Sequence, residues 1–248
     1  MPRRAACILT LLLSLWAGGV VAGPWPRGDG EVFLSFSVEQ DGDGNRYTGL
    51  YSEYGLNPRH TLGIDLRHIT SGESSIMLWT LRAMDRGEGP DRLTLSSGVG
   101  VIRREGKLIP LVQIGAAWGR GLDSVPVLNR LPGGGWLAVD ARAKLARSEE
   151  GEPDRTPDAN GRWSSRQVYL TPKTTIKAEV TLGWKARPSL MVINQLRLED
   201  RDDLGFSAKL ATSVVRDLTG PAKVELGVIM PLAGEGEPAL KIGTWIQF

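Results

Sequence analysis

Two histidines and a few serines are the residues best suited to nucleophilic catalysis in this chain. The only histidines are His60 and His68, eight positions apart on a stretch with a strand-like pattern, so their side chains share one face. Four serines lie further along the chain, at Ser74, Ser75, Ser96 and Ser97. A serine hydrolase needs a nucleophile, a histidine base and an orienting group, and no motif joins these residues. We therefore predict that the chain is not an enzyme.

Metal and cofactor sites have equally little support. The segment Asp41-Gly42-Asp43-Gly44-Asn45 is superficially like a calcium loop, but it lacks the later bidentate Glu and is predicted to be a hairpin turn. Gly98-Val99-Gly100 precedes no helix and so indicates no nucleotide site. The single cysteine, Cys7, lies in a segment predicted to be removed, which excludes disulfides and thiol ligands from the mature chain. No metal and no cofactor are expected.

The N-terminal segment has the features of a secretory signal peptide. Arg3 and Arg4 form a short positive region, and residues 5–21 are apolar and uncharged. The apolar run is short for a membrane span and ends at Gly23 and Pro24. We predict a cleaved signal at residues 1–22 and a single domain at residues 23–248.

The charge balance argues against nucleic acid as a partner. The chain of 248 residues carries 30 Lys and Arg against 28 Asp and Glu. Removal of residues 1–22 takes away Arg3 and Arg4 and no acidic residue, so the mature chain has 28 of each. A balanced chain has no electrostatic reason to bind nucleic acid.

The rest of the chain alternates between apolar and polar residues with period two, which is typical of strands with two different faces. The clearest case is 175–185, where Ile176, Val180 and Leu182 alternate with Lys177 and Glu179. Turn residues separate twelve predicted strands: 31–40, 45–54, 60–70, 74–85, 91–103, 107–119, 135–147, 174–186, 189–199, 205–217, 221–232 and 238–248. Most exceed the usual soluble strand of about 5–6 residues and match the roughly 9–11 residues that cross a bilayer.

The length of these strands favours a membrane barrel over a soluble β-sandwich, which stays as the alternative fold. Large aromatic residues lie near the predicted strand ends, as in the interfacial girdles of membrane barrels: Tyr47, Tyr54, Trp118, Trp136, Trp184, Trp245 and Phe248. We predict an all-β fold, a transmembrane antiparallel up-and-down β-barrel of about twelve strands, with ten or fourteen as alternatives. The stretches 120–134 and 148–173 are predicted to be irregular connections, the second an external loop.

The C-terminal segment resembles the assembly signal of bacterial outer-membrane β-barrels, in which a polar residue and a Gly precede alternating hydrophobic residues and a final aromatic. Lys241, Gly243, Ile246 and Phe248 occupy those positions, with Ile246 in place of the commoner aromatic. The segment 54–65 also resembles a strand–turn–strand element of uncharacterised proteobacterial outer-membrane proteins. The resemblance implies a porin-like location in the outer membrane, contact with its lipid and lipopolysaccharide, and recognition of the last strand by the barrel-assembly machinery.

If the apolar faces meet lipid, the other faces place ten basic and seven acidic side chains in the lumen. The predicted lumen residues are Glu39, Glu53, Asp65, Arg67, Arg82, Asp140, Arg142, Lys144, Lys177, Glu179, Lys185, Arg197, Glu199, Lys209, Lys223, Glu225 and Lys241. They could form structural ion pairs in a narrow barrel, or line a water-filled pore that weakly favours anions.

The leading functional prediction is a passive pore for small polar solutes with a weak anion preference. One alternative is a closed structural or interaction barrel whose loops bind a partner, and a second is a lipid hydrolase of the outer membrane. The sequence does not determine the solute or the oligomeric state.

Overall fold

The computed structural model describes residues 23–70, 72–124, 126, 134–147 and 173–248. Within these residues there are twelve strands and one short 3-10 helix. The strands are β1 (Val32–Asp41), β2 (Arg46–Asn57), β3 (His60–Ile69), β4 (Ser74–Ala83), β5 (Asp91–Arg104), β6 (Lys107–Gly121), β7 (Gly135–Ala146), β8 (Thr174–Arg187), β9 (Leu190–Arg201), β10 (Gly205–Asp217), β11 (Ala222–Ala233) and β12 (Ala239–Gln247). The 3-10 helix is Leu122–Ser124.

Each strand pairs antiparallel with its neighbours in the chain, and β1 pairs with β12 to close the sheet. The closing register runs from Phe33 opposite Gln247 to Asp41 opposite Ala239. The prediction of a twelve-stranded antiparallel barrel is therefore confirmed. The predicted signal at 1–22 and almost all of the predicted loop 148–173 lie outside the described residues.

The barrel has two distinct ends. The start of β1 and the C-terminal Phe248 lie at one of them, where the backbone N–H of Val32 donates to the carbonyl of Phe248. We call this the terminal end, and it also carries the turn at residues 58–59 between β2 and β3. The opposite end, called the loop end, carries the turns at residues 42–45 and 105–106.

The two faces of the sheet have opposite character. Large apolar side chains project outward, and Val99, Ile114 and Leu240 are 62%, 65% and 66% exposed. Charged and hydroxyl side chains point inward, and Glu225 and Thr175 are 2% and 0% exposed. A soluble sandwich buries its apolar faces and solvates its polar ones, so this distribution is that of a membrane barrel.

No helix among the described residues is long and apolar enough to span a membrane.

The predicted aromatic girdle is correct for only some of its members. Tyr54 and Phe248 are exposed on the outer face, as predicted. Trp136 and Trp245 instead point inward, where they contact one packed apolar cluster, and Tyr47 lies on the same inward parity of β2 as the buried Glu53. Proximity to a strand end did not indicate the face, because each face is fixed by strand parity.

The turn between β4 and β5 is organised by Asp85. Its Oδ1 accepts from the N–H of Gly87 at 2.7 Å, and its Oδ2 accepts from the N–H of Leu93 at 2.7 Å. Burial raises the pKa of the Asp85 carboxyl, but these two N–H donors and the charge of Arg92 outweigh it, so the pKa lies below its ordinary value.

We expect this turn to loosen in acid. Because the folded-state pKa lies below the unfolded value of about 3.9, the stabilisation is complete above that pH and is lost as the pH falls through the folded-state pKa. Amide-exchange protection at Gly87 and Leu93 should therefore fall at low pH, and Asp85→Asn should remove that dependence. Glu88→Gln in the same turn is the control, and an unchanged pH profile in Asp85→Asn would contradict the assignment.

Candidate functional site: the barrel lumen

The structure places all but one of the predicted lumen residues on the inward face of the sheet. Arg82 is the exception, because it lies on β4 between the buried residues Leu81 and Ala83 and therefore points outward. In the register of β3 and β4, Arg82 lies opposite His60, which is on the outward parity of β3. The prediction that Arg82 lines a pore is therefore wrong. The error arose because β4 has apolar residues on both faces, so its sequence shows no clear alternation.

Two of the inward ion pairs form along single strands. Arg67 contacts Asp65 at 2.8 Å on β3, and Arg142 contacts Asp140 at 2.9 Å on β7. Residues two apart on a strand point to the same face, so each pair is set by local sequence. These four side chains partly neutralise one another within the lumen.

Other pairs depend on strand register. Lys177 on β8 lies opposite Glu199 on β9, and their charged atoms are 3.1 Å apart. Lys241 on β12 contacts Glu225 on β11 at 2.9 Å, and the indole N–H of Trp245 donates to the same carboxylate at 3.1 Å. Hydrogen bonds from both neighbours compensate the burial of Glu225.

Arg197 makes a contact across the lumen. Its guanidinium lies 3.6 Å from Glu179 on the adjacent strand β8 and 3.4 Å from Glu39 on β1. Three strands separate β9 from β1 around the barrel, so the contact with Glu39 crosses the interior instead of following the wall. The lumen is therefore narrow at this level, and Arg197 defines a constriction.

Four basic side chains form what we call the lumen cation group: Arg67, Arg142, Lys144 and Lys177. Arg142 lies directly opposite Lys177 in the register of β7 and β8, although like charges in that position repel. Arg67, Lys177 and Arg142 repel the Lys144 ammonium, and Asp65 attracts it. Lys144 is only 7% exposed, and within the described residues it makes no ion pair with an acidic side chain. The group therefore keeps a local excess of positive charge.

One wall of the lumen is apolar. Met77 on β4, Ile102 on β5, and Ile109 and Leu111 on β6 are all buried in one cluster, against which Trp79 packs. The predicted polar lumen is therefore incomplete: charged side chains line β7–β12 and β1–β3, while the inward face of β4–β6 is mainly hydrophobic, with Thr94, Gln113 and Arg104 among its buried polar residues.

The chain before β1 folds back into the terminal end of the barrel. The backbone N–H of Arg27 donates to Thr61 Oγ1 at 2.9 Å, and its guanidinium pairs with Glu53. The side chains of Arg27 and Glu53 are each 5% exposed, and the guanidinium of Arg27 lies 4.5 Å from the ring centre of Phe33. Residues 23–31 thus occupy the lumen mouth at this end, and we call them the N-terminal plug.

Two glycines of the wall make room for the plug. A Cβ added at Gly55 would lie 1.8 Å from the carbonyl oxygen of Gly28, and one added at Gly119 would lie 2.3 Å from Pro24. Trp25 packs on the apolar cluster that contains Trp136. The sequence predictions missed the plug, because residues 23–31 have no period-two alternation that would mark a structural role.

Two other segments singled out in the sequence are the calcium-like segment 41–45 and the C-terminal segment 241–248. Asp41 Oδ1 accepts from the N–H of Asn45 at 2.8 Å, so the calcium-like segment is a hydrogen-bonded turn. Within the described residues no group of three His, Cys, Asp or Glu could hold a metal. In the segment predicted to be an assembly signal, Lys241 and Gly243 lie on the inward face while Phe248 is exposed.

The histidines both lie on the outer face, as predicted. His60 Nδ1 is 3.1 Å from Asn57 Oδ1, and His68 Nδ1 shares a hydrogen bond of 2.9 Å with Ser74 Oγ. The sequence did not identify this second pair, because it depends on the register that sets His68 opposite Ser74.

Comparison with known proteins identifies the fold. No family model matches the chain, and no curated protein matches it in sequence. Among solved structures, the KdgM porin is similar with a TM-score of 0.58 and 6% identity, over 87% of this chain and 99% of that one. An outer membrane channel from Pseudomonas putida F1 gives 0.59 and 12% identity, over 93% and 100%. The KdgM porin in complex with disordered oligogalacturonate gives 0.56 and 6%, over 88% and 99%. At these identities the likeness establishes the fold alone.

We expect Arg27→Ala to release the plug. Removing one partner of a buried ion pair leaves the other charge uncompensated, at a cost of roughly 3–5 kcal/mol. A spin label at Asp29→Cys, in a Cys7→Ser background, should become more mobile by electron paramagnetic resonance. Arg59→Ala, at an exposed arginine of the same end, is the control. A label equally immobile in Arg27→Ala would contradict the role of the pair.

Proposed function

We propose that this protein is a narrow passive pore of the bacterial outer membrane for small polar solutes, with a preference for anions. The observation that carries the proposal is the inversion of the two faces, with apolar side chains outside and a charged interior. The likeness in fold to a porin and to an outer membrane channel supports the same assignment.

The preference for anions rests on the lumen cation group. Arg67 and Arg142 are paired with aspartates, and Lys177 is paired with Glu199, whereas Lys144 forms no ion pair within the described residues and shares the attraction of Asp65 with Arg67. A solute carrying a carboxylate would relieve the repulsion between these cations. The other ion pairs of the lumen mix both signs, so we expect the preference to be weak.

An acidic sugar is one solute of this kind, and the KdgM porin, which is similar to this chain in fold alone, is described in complex with disordered oligogalacturonate. Galacturonate carries a carboxylate, which is the chemistry that the lumen cation group would attract. Arg197 is in contact with Glu39 and Glu179, so such a solute must pass beside these three side chains or displace them.

We also propose that the C-terminal strand carries the assembly signal. Phe248 is 67% exposed at the terminal end, where an assembly factor could reach it from the periplasm.

The anion preference can be tested by single-channel recording under a salt gradient. The refolded protein should give discrete steps with a reversal potential on the anion side. Lys144→Glu should shift this potential toward cations, with a several-fold fall in the anion-to-cation permeability ratio. The reason is that it reverses the charge of the one residue of the lumen cation group that forms no ion pair within the described residues.

Arg82→Glu is the matched control, since it makes the same change in net charge on the outer face. It should leave the reversal potential unchanged. An equal shift in both variants, or none in Lys144→Glu, would contradict a pore lined by the lumen cation group.

A closed structural barrel is the second candidate, and the N-terminal plug and the contact across the lumen favour it. Long side chains can fill a barrel of this size. A closed barrel would be folded and electrically silent.

We expect removal of residues 23–29 to raise the single-channel conductance, because the plug occupies the terminal mouth. Arg197→Ser should raise it further by removing the link to Glu39, with Arg82→Ser as the control. If the wild type and both altered proteins are folded and silent, the pore is contradicted and the closed barrel is supported.

A further inference from the structure

A row of polar side chains crosses the outer surface near the loop end. Consecutive strand pairs set Thr48 opposite His68, His68 opposite Ser74, and Ser74 opposite Arg103. All four residues lie on the outward parity of their strands, on an exterior that is otherwise strongly apolar. Arg103 is exposed, and within the described residues no carboxylate lies within ion-pair distance of it.

A row of apolar side chains lies two residues further from the loop end. It consists of Leu50, Leu66, Ile76 and Val101, which are paired in the same order across the same four strands. Both rows line one open cavity of about 420 Å³ on the outer surface. The polar row and the apolar row are separated by about 7 Å, the rise of two residues along a strand.

We propose that this surface binds the phosphorylated headgroup of an anionic outer-leaflet lipid. Arg103 pairs with the phosphate, Ser74 and Thr48 donate their hydroxyl hydrogens to it, and the acyl chains lie along Leu66 and Ile76. The inference rests on the proposed membrane location, which places the loop end at the outer leaflet. The charge of Arg103 and the polar-above-apolar order match such a lipid and no soluble partner.

The His68–Ser74 pair serves recognition here and not hydrolysis. Their hydrogen bond of 2.9 Å uses His68 Nδ1, and among the described residues no acidic side chain contacts the imidazole. A serine nucleophile needs a base that is itself oriented by a third group. In the lipid-bound site the His68 Nδ1–H donates to Ser74 Oγ, which leaves the Ser74 hydroxyl hydrogen for the phosphate.

Native mass spectrometry of the detergent-solubilised barrel tests the site. Titration with bisphosphorylated lipid A and with its fully dephosphorylated form should show tighter binding of the first by about tenfold or more, as a charge-assisted pair implies. Arg103→Gln should lose that preference, and Arg103→Lys should keep most of it. Arg82→Gln removes an outward arginine at the opposite end of the neighbouring strand β4, and should bind like the wild type.

Three results would overturn the proposal: equal binding of the two lipids by the wild type, equal loss in Arg103→Gln and Arg82→Gln, or covalent labelling of Ser74 by a fluorophosphonate, which would make the pair catalytic. Far-UV circular dichroism checks that each variant is folded. Conductance is measured separately, and Arg103→Gln should conduct like the wild type. A barrel that binds lipid A but never conducts would therefore contradict the pore without affecting the lipid site.

Discussion

Closure of the sheet between β1 and β12 is the constraint on which the rest of the structure depends. A strand edge left open in lipid would expose backbone N–H and C=O groups that nothing there can satisfy. The register from Phe33–Gln247 to Asp41–Ala239 removes that edge. Once the ring is closed, strand parity assigns every side chain to the lumen or to the exterior, and the hydrophobic residues that would form a soluble core are left outside.

In a closed ring of twelve strands, the charged side chains of the inward faces also lie close to one another. Side chains from non-adjacent strands come together across the lumen, as Arg197 does with Glu39. Burial of so many ions is tolerable only where each finds a partner or retained water. Lys144, which forms no ion pair within the described residues, is therefore the lumen residue best suited to a test of charge selectivity. The same narrowness lets the short segment with Arg27 occupy the terminal end.

The outer surface follows a different rule, because its charged residues are few and lie near the ends of the strands. Arg82 and Arg103 lie on the outward face toward opposite ends of the neighbouring strands β4 and β5. His60 and His68 occupy corresponding positions at the two ends of β3. Pairing across strands turns single residues of this kind into continuous rows, and a row at the headgroup level can contact lipid phosphate.

The sequence by itself determined the alternation and the inward direction of most charged residues, because period two is a local property of each strand. It predicted about twelve strands with ten or fourteen as alternatives, and closure of the sheet decided among them. The sequence also suggested that the lumen residues could form ion pairs, but it did not show which residues pair. Asp65–Arg67 follows from spacing alone, whereas Arg197–Glu39 and His68–Ser74 depend on register and closure, which bring together residues far apart in the chain. Arg82 was assigned to the wrong face because β4 is apolar on both faces. The plug could only be decided by the tertiary structure, since an irregular segment has no periodicity and its position depends on the space that Gly55 and Gly119 leave.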